Sequence, residues 1–218
     1  MKTMVDRLKV RLYYADDERG ILGNTRARSG DPATGGWNRE HSFPHSFFNS
    51  VEPMQSDMHA LLPSNGDINL TRNNCPYEVV TIPTSTEVFG NEEDTVNDFF
   101  EPIDDVRGDA ARAVFYMDIR HEGENSGPDL FISDVPSPGS GGNRMAFLTT
   151  LLQWHNDDPP DTWEITRNNR VYNEQGNANP FIDHPGWVPI IHSSTPPSVT
   201  NSDTITVASS GSLSSSVR

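Results

Sequence analysis

The chain has 218 residues, 33% hydrophobic and 22% charged, with 31 Asp and Glu against 16 Lys and Arg and a formal net charge of -15. That length suits one domain with a real core, while a mean hydropathy of -0.61 assigns much of the chain to polar surface and loop. No run of about eighteen apolar residues exists, which excludes a membrane-spanning helix.

Residues 1–7 lack the apolar stretch of a signal peptide, so the chain is expected to be cytoplasmic or to have lost a leader. Cys75 is the single cysteine and can form no internal disulfide; it is expected to be a small buried or half-buried thiol. The acidic balance runs against the basic footprint usual for nucleic-acid binding. The type of base matters more than the count. Lys2 and Lys9 are the only lysines, and every other basic residue is an arginine. A planar guanidinium can clamp phosphate through two nitrogens, which an ammonium cannot. The Asp-rich, Lys-poor surface fits either adaptation to a salty medium or a merely soluble acidic protein.

In chain order, alternation of Leu8, Val10, Leu12 and Tyr14 with polar partners predicts a strand over residues 7–15. Residues 16–36 are rich in Gly and Asp and read as loop. A strand is expected within residues 38–44. A second short apolar stretch, 58–62, is expected to stop at Pro63-Ser64-Asn65-Gly66. Asp67 can then cap a helix carrying Asn69 and Arg72. Residues 75–91 read as irregular strands and loops. Asp104 or Asp105 can cap a helix with Val106, Ala110, Ala113, Val114 and Met117 on one face. Residues 121–142 read as loop, and Asn143 as the start of a helix with Met145, Leu148, Leu151 and Leu152 inward. Asp161-Thr162-Trp163-Glu164 resembles a capping box, and Gly176 is a good terminator. Residues 179–188, punctuated by Pro180 and Pro185, read as loop. The Ser/Thr/Pro-rich residues 191–218 read as a flexible tail.

Two stretches carry chemistry. The first is Trp37-Asn38-Arg39-Glu40-His41-Ser42-Phe43-Pro44. The second is Asp57-Met58-His59-Ala60-Leu61-Leu62-Pro63, running on to Asp67-Ile68-Asn69-Leu70-Thr71-Arg72-Asn73. They put a carboxylate beside an imidazole and, later, an asparagine followed by an arginine at i+3. That inventory suits phosphodiester hydrolysis: a hard-metal ligand, a proton acceptor for water and a cation for phosphate oxygens. Adjacent strand residues point to opposite faces, so Glu40 and His41 can address one site only near a strand end or an irregularity. Asp57 and His59 are spaced to share one face of a strand. They read either as support for the site or as further metal ligands.

Taken in this order, the stretches resemble the signature of the bacterial endonuclease I family, secreted nucleases with a ββα-metal (His-Me finger) core. Arg107-Gly108-Asp109, Leu152-Gln153-Trp154-His155 and Gln175-Gly176-Asn177 extend the resemblance, which covers residues 37–187 and nothing before Trp37. It implies an α+β fold over residues 1–190: a ββα-metal core with packed helices, short strands and long loops. It makes Glu40 a direct metal ligand, His41 the general base and Asn69 a second ligand through its amide oxygen. Two protein oxygens plus waters and phosphate suit Mg²⁺, with Mn²⁺ or Ca²⁺ as substitutes. Arg72 is expected to bind phosphate or stabilise the transition state, or else to pair with a carboxylate. Arg39 and Arg112 are further candidates for phosphate contact, Arg112 alternatively for a helix ion pair. Asp57 and His59 are expected to brace the site. His155 and His184 are expected to be structural, and Trp154, Trp163 and Trp187 to lie in the core.

The function implied is a Mg²⁺-dependent endonuclease of low sequence specificity. It would cleave DNA and RNA to 5′-phosphate ends, as a secreted or periplasmic monomer with no membrane partner. One rival is a catalytically weak extracellular binding or structural domain on the same scaffold. The other is a zinc hydrolase using His41, His59 and Asp57.

Overall fold

The structure is a computed structural model that describes residues 9–14, 25–27, 37–81, 86–88, 90–123, 127–135, 143–145 and 147–192. Short strands and helices of mixed type make an α+β fold. Strand β1 (Lys9–Arg11) pairs antiparallel with β2 (Thr25–Ala27), so the expected loop over residues 16–36 contains a strand. Beyond β1, Tyr13 bridges to Ser64, and Leu12, Tyr13 and Tyr14 are all buried. The expected alternation fails there because both sides of the segment are covered.

The centre of the fold is β3 (Trp37–His41) paired antiparallel with β4 (Leu61–Asn65), followed at once by helix α1 (Gly66–Arg72). The register sets Glu40 opposite Leu62 and Asn38 opposite Ser64. Strand β4 runs through Pro63 rather than stopping before it. Pro63 has no N–H to give, but its carbonyl accepts Tyr13 N at 2.7 Å, which docks the N-terminal segment on β4. The helix cap is Asn65 rather than Asp67. Asn65 Oδ1 accepts Asp67 N at 2.8 Å and Ile68 N at 3.4 Å, leaving Asp67 in the first turn beside the positive helix end.

A meander of β5 (Thr86–Val88), β6 (Asn91–Asp94) and β7 (Phe99–Glu101) leads to helix α2 (Arg107–Arg120). A 3₁₀ turn, Asp104–Val106, precedes α2, which has no side-chain cap. The predicted inward face is buried, but so are Ala111, Phe115 and Tyr116, so α2 is the central rod of the core. At Gly108 the chain passes so close to the end of α3 that a Cβ would lie 1.9 Å from Asp158 O. Only glycine fits there. Strands β8 (Phe131–Ile132) and β9 (Arg144–Met145) pair in parallel, where a loop and a helix start were expected. Helix α3 (Leu148–Asp157) begins later than predicted and buries Leu151 and Trp154 against the core containing α2.

Helix α4 (Thr162–Gln175) has the predicted ends. Asp161 accepts Glu164 N at 2.6 Å, and Gly176 closes the helix at φ 89°. The expected final loop is instead α5 (Pro180–Asp183), a 3₁₀ turn Pro185–Trp187 and α6 (Val188–Ile191), with each proline starting its own turn. Trp154 is buried and Trp163 partly so, but Trp187 is 47% exposed and stacks on His184 instead of entering the core. Cys75 is free and buried, as expected. No helix among the described residues is long and apolar enough to cross a membrane. The expected tail beyond Ile191 lies, except for His192, outside the described residues.

Candidate active site

An open cleft of about 880 Å³ lies over the β3–β4–α1 unit and is lined by Asn38, Glu40, His41 and Asn69, among others. His41 is the last residue of β3, where the strand gives way to a bend. This strand end lets neighbouring Glu40 and His41 both line the cleft. The imidazole of His41 contacts Gln55 O through Nε2 at 3.1 Å. A carbonyl only accepts, so Nε2 carries the proton and Nδ1 of the neutral ring is the basic nitrogen. Burial lowers the His41 pKa; the Gln55 carbonyl opposes that, while His45, Arg39 and Arg72 add to it. The ring is thus kept in its proton-accepting form at neutral pH.

Asn69 reaches back from α1 to β3. Its Nδ2 donates to Asn38 Oδ1 at 2.8 Å and to Arg39 O at 3.1 Å. Two acceptors fix which way the amide lies, and Oδ1 accepts no hydrogen bond among the described residues. Glu40 is 1% exposed. Its Oε1 accepts the Tyr14 hydroxyl at 3.0 Å and faces Arg72 Nη1 at 3.2 Å. Burial pushes the Glu40 carboxyl up to about 7, against the downward pull of Arg72 and Tyr14. A cation at its second oxygen would favour the charged form. A carboxylate and an amide that, among the described residues, each retain an oxygen without a hydrogen bond, on adjacent elements, fit a hard divalent ion.

Arg72 is placed behind Glu40. It is 1% exposed, and Nη1 donates to His41 O at 3.1 Å and Asn73 O at 3.3 Å, and Nη2 to Ser42 O at 2.9 Å. Its carboxylate-paired alternative is the geometry observed. Arg39 is exposed on the cleft wall. Arg112 lies elsewhere, fully buried. It donates to Glu164 Oε1 at 2.8 Å, Asp158 O at 2.7 Å and Asp109 Oδ1 at 3.0 Å, so no N–H is turned to a surface phosphate.

Asp57 and His59 lie in a turn before β4, not on a strand, because Asp57 Oδ1 accepts His59 N at 3.0 Å. Asp57 also accepts Gln175 Nε2 at 2.9 Å and the Tyr116 hydroxyl at 2.8 Å, with His121 Nε2 at 3.3 Å. Burial would raise its pKa, but the donors, His121 foremost, hold it at about 2. His59 Nε2 contacts Asn177 O at 3.0 Å, and Met58 N donates to Gln175 Oε1 at 2.7 Å. The downstream Gln175-Gly176-Asn177 segment therefore fastens the turn that leads into β4. Among the described residues no three His, Cys, Asp or Glu side chains converge as a metal-binding set, so His41, His59 and Asp57 do not form the zinc site of the rival reading.

Tyr14, Asn38 and the Gln55 carbonyl were missed by sequence reasoning. Asn38 had a signal, its i, i+2 spacing from Glu40 on one strand face. A main-chain carbonyl has none.

The chain belongs to the Endonuclease I family, whose model matches residues 4–186. It is 38% identical over 181 residues to an extracellular ribonuclease of Bacillus amyloliquefaciens, covering 81% of this chain and 58% of that protein. It is likewise 38% identical over 161 residues to an extracellular ribonuclease of Bacillus subtilis (strain 168), covering 70% and 53%. An extracellular deoxyribonuclease of Aeromonas hydrophila is 33% identical over 135 residues, covering 60% and 50%. The chain thus spans about half the length of the curated relatives it matches.

Proposed function

We propose that the protein is a Mg²⁺-dependent endonuclease of low sequence specificity, with the β3–β4–α1 unit serving as a ββα-metal core. The observation that carries this is the convergence on one cleft of Glu40, Asn69 and a His41 ring whose Nε2 is already committed to Gln55 O. Glu40 and Asn69 hold the ion, with Mn²⁺ or Ca²⁺ as substitutes. Bound there, Mg²⁺ would neutralise charge developing on the phosphate and on the departing 3′ oxygen. His41 accepts a proton at Nδ1 from the water that attacks phosphorus; the P–O3′ bond breaks, the departing 3′ oxygen takes a proton from solvent, and the ends left are 5′-phosphate and 3′-hydroxyl. Arg39, exposed on the cleft wall, contacts phosphate. Arg72 holds Glu40 and the end of β3 in place. The names of the relatives, divided between ribonuclease and deoxyribonuclease, support action on both RNA and DNA, and the word extracellular in them supports export.

The test is nicking of a supercoiled plasmid and degradation of a structured RNA, each with Mg²⁺ or with EDTA. Cleavage is expected only with the ion. Glu40→Ala and Asn69→Ala are expected to need more Mg²⁺ for the same rate. Undiminished cleavage in EDTA, or an unchanged Mg²⁺ dependence in both variants, would overturn the assignment.

A further inference from the structure

Among the described residues the Glu40 carboxylate makes both of its polar contacts, to Tyr14 and to Arg72, through Oε1. Tyr14 has one proton, given to Glu40 Oε1 at 3.0 Å, so in its contact with the Tyr77 hydroxyl it is the acceptor. The result is a buried relay, Tyr77 to Tyr14 to Glu40. The Arg72 guanidinium, which reaches the same Oε1, lies 4.8 Å above the Tyr77 ring. All four side chains are almost wholly buried.

Tyr14 is held there against its own backbone preference. Its φ is 60°, in the left-handed region that a bulky side chain seldom occupies. Asn91, also buried, donates from Nδ2 to Tyr14 O at 2.9 Å and accepts Ile103 N through Oδ1 at 3.1 Å. A conformation of this kind persists where surrounding contacts over-determine it, commonly at functional sites. Tyr14 comes from the N-terminal segment, outside the region where the sequence shows chemistry.

We propose that Tyr14, backed by Tyr77, is a positioning residue that reserves Glu40 Oε1, making Glu40 a one-oxygen ligand and biasing the site towards Mg²⁺ and Mn²⁺ over Ca²⁺. The inference rests on Glu40 being a metal ligand. Its physical ground is that Mg²⁺ takes compact octahedral sites, whereas Ca²⁺ readily uses both oxygens of a carboxylate at longer distances. With the Tyr14 hydroxyl gone, Oε1 keeps only the Arg72 contact, and Glu40 is freer to turn and offer both oxygens.

Calorimetric titration of the full chain with MnCl₂ and with CaCl₂ tests this in wild type, Tyr14→Phe, Tyr77→Phe and Glu40→Ala. Tyr14→Phe is expected to bind Mn²⁺ about 10–100-fold more weakly, the range typical of groups that orient a ligand, and to lose less for Ca²⁺. Cleavage by Tyr14→Phe is expected to recover at saturating Mn²⁺. Tyr77→Phe, which leaves the Tyr14–Glu40 bond in place, should shift the Mn²⁺/Ca²⁺ ratio in the same direction by less. It carries the test if Tyr14→Phe does not fold, and an unchanged ratio in it would then overturn the proposal. Equal changes for both ions in Tyr14→Phe, including no change, would show a merely structural hydroxyl. Retained metal affinity in Glu40→Ala would overturn the reading of the site itself, and is distinguishable because that variant is measured alongside.

Discussion

The Nε2 of His41 lies 3.1 Å from the main-chain oxygen of Gln55, and that contact decides which imidazole nitrogen is left to work. Because the partner is a carbonyl, the Gln55 side chain is dispensable to the arrangement. His41→Ala is expected to lower plasmid cleavage about 10²–10⁴-fold, the usual worth of a positioned proton acceptor, with Mn²⁺ affinity retained. Gln55→Ala should cleave at close to the wild-type rate. Parity of the two variants would mean that His41 is not the base.

Arg72 separates a structural from a catalytic cation. Its removal leaves Glu40 buried without a counter-charge and three carbonyls short of a donor. Arg72→Ala is therefore expected to lose about 3–5 kcal/mol in denaturant unfolding, as when one partner of a buried pair is deleted. Arg72→Lys keeps the charge but not the fork, and should fall between. A wild-type unfolding curve with a collapsed turnover would instead place the guanidinium on the phosphate.

Asp57 gives a pH dependence with a definite sign. Its folded pKa, about 2, lies below the ordinary value of 3.8. A depressed carboxyl stabilises the fold at every pH above its unfolded value and loses that contribution as pH falls through the folded one. The gap corresponds to about 2 kcal/mol. Asp57→Asn should be less stable than wild type by that order at pH 7, and the contribution of the charge should disappear between about pH 4 and pH 2. A difference that stays constant across this window would show that the charge of Asp57 contributes nothing.

The last prediction concerns salt. A basic nuclease loses affinity as salt displaces its phosphate contacts. At a net charge of -15 this chain should repel nucleic acid at long range in dilute buffer, except near cleft cations such as Arg39. Screening shortens that repulsion to about 3 Å near 1 M salt and relieves the crowding of carboxylates. Initial nicking rates at fixed Mg²⁺ should therefore peak at several hundred millimolar NaCl or above, with thermal stability rising over the same range. A monotonic fall from the lowest salt would mean that the acidic surface has no part in tuning activity.

Local chemistry was legible wherever neighbours in the chain decide the outcome. The α4 ends follow from Asp161 and Gly176, the β3 strand from its short run before Pro44, and the pairing of Glu40 with His41 at a strand end from the two-residue period. The candidate set of Glu40, His41 and Asn69 came from the resemblance, and the fold brings the three to one cleft. Tertiary structure alone decided what surrounds that set. Asn65 took the cap from Asp67 because β4 ran on through Pro63, and Arg72 turned inward because Glu40 and the carbonyls after β3 were there to meet it. Arg112 was claimed by Asp109 of its own helix and by Glu164, 52 residues away; Tyr14 reaches across 26 residues to Glu40. Such partners are chosen by packing between distant segments, and a buried charge or hydroxyl must find one wherever the fold brings it. Residue type announces that need, but it does not say who will meet it.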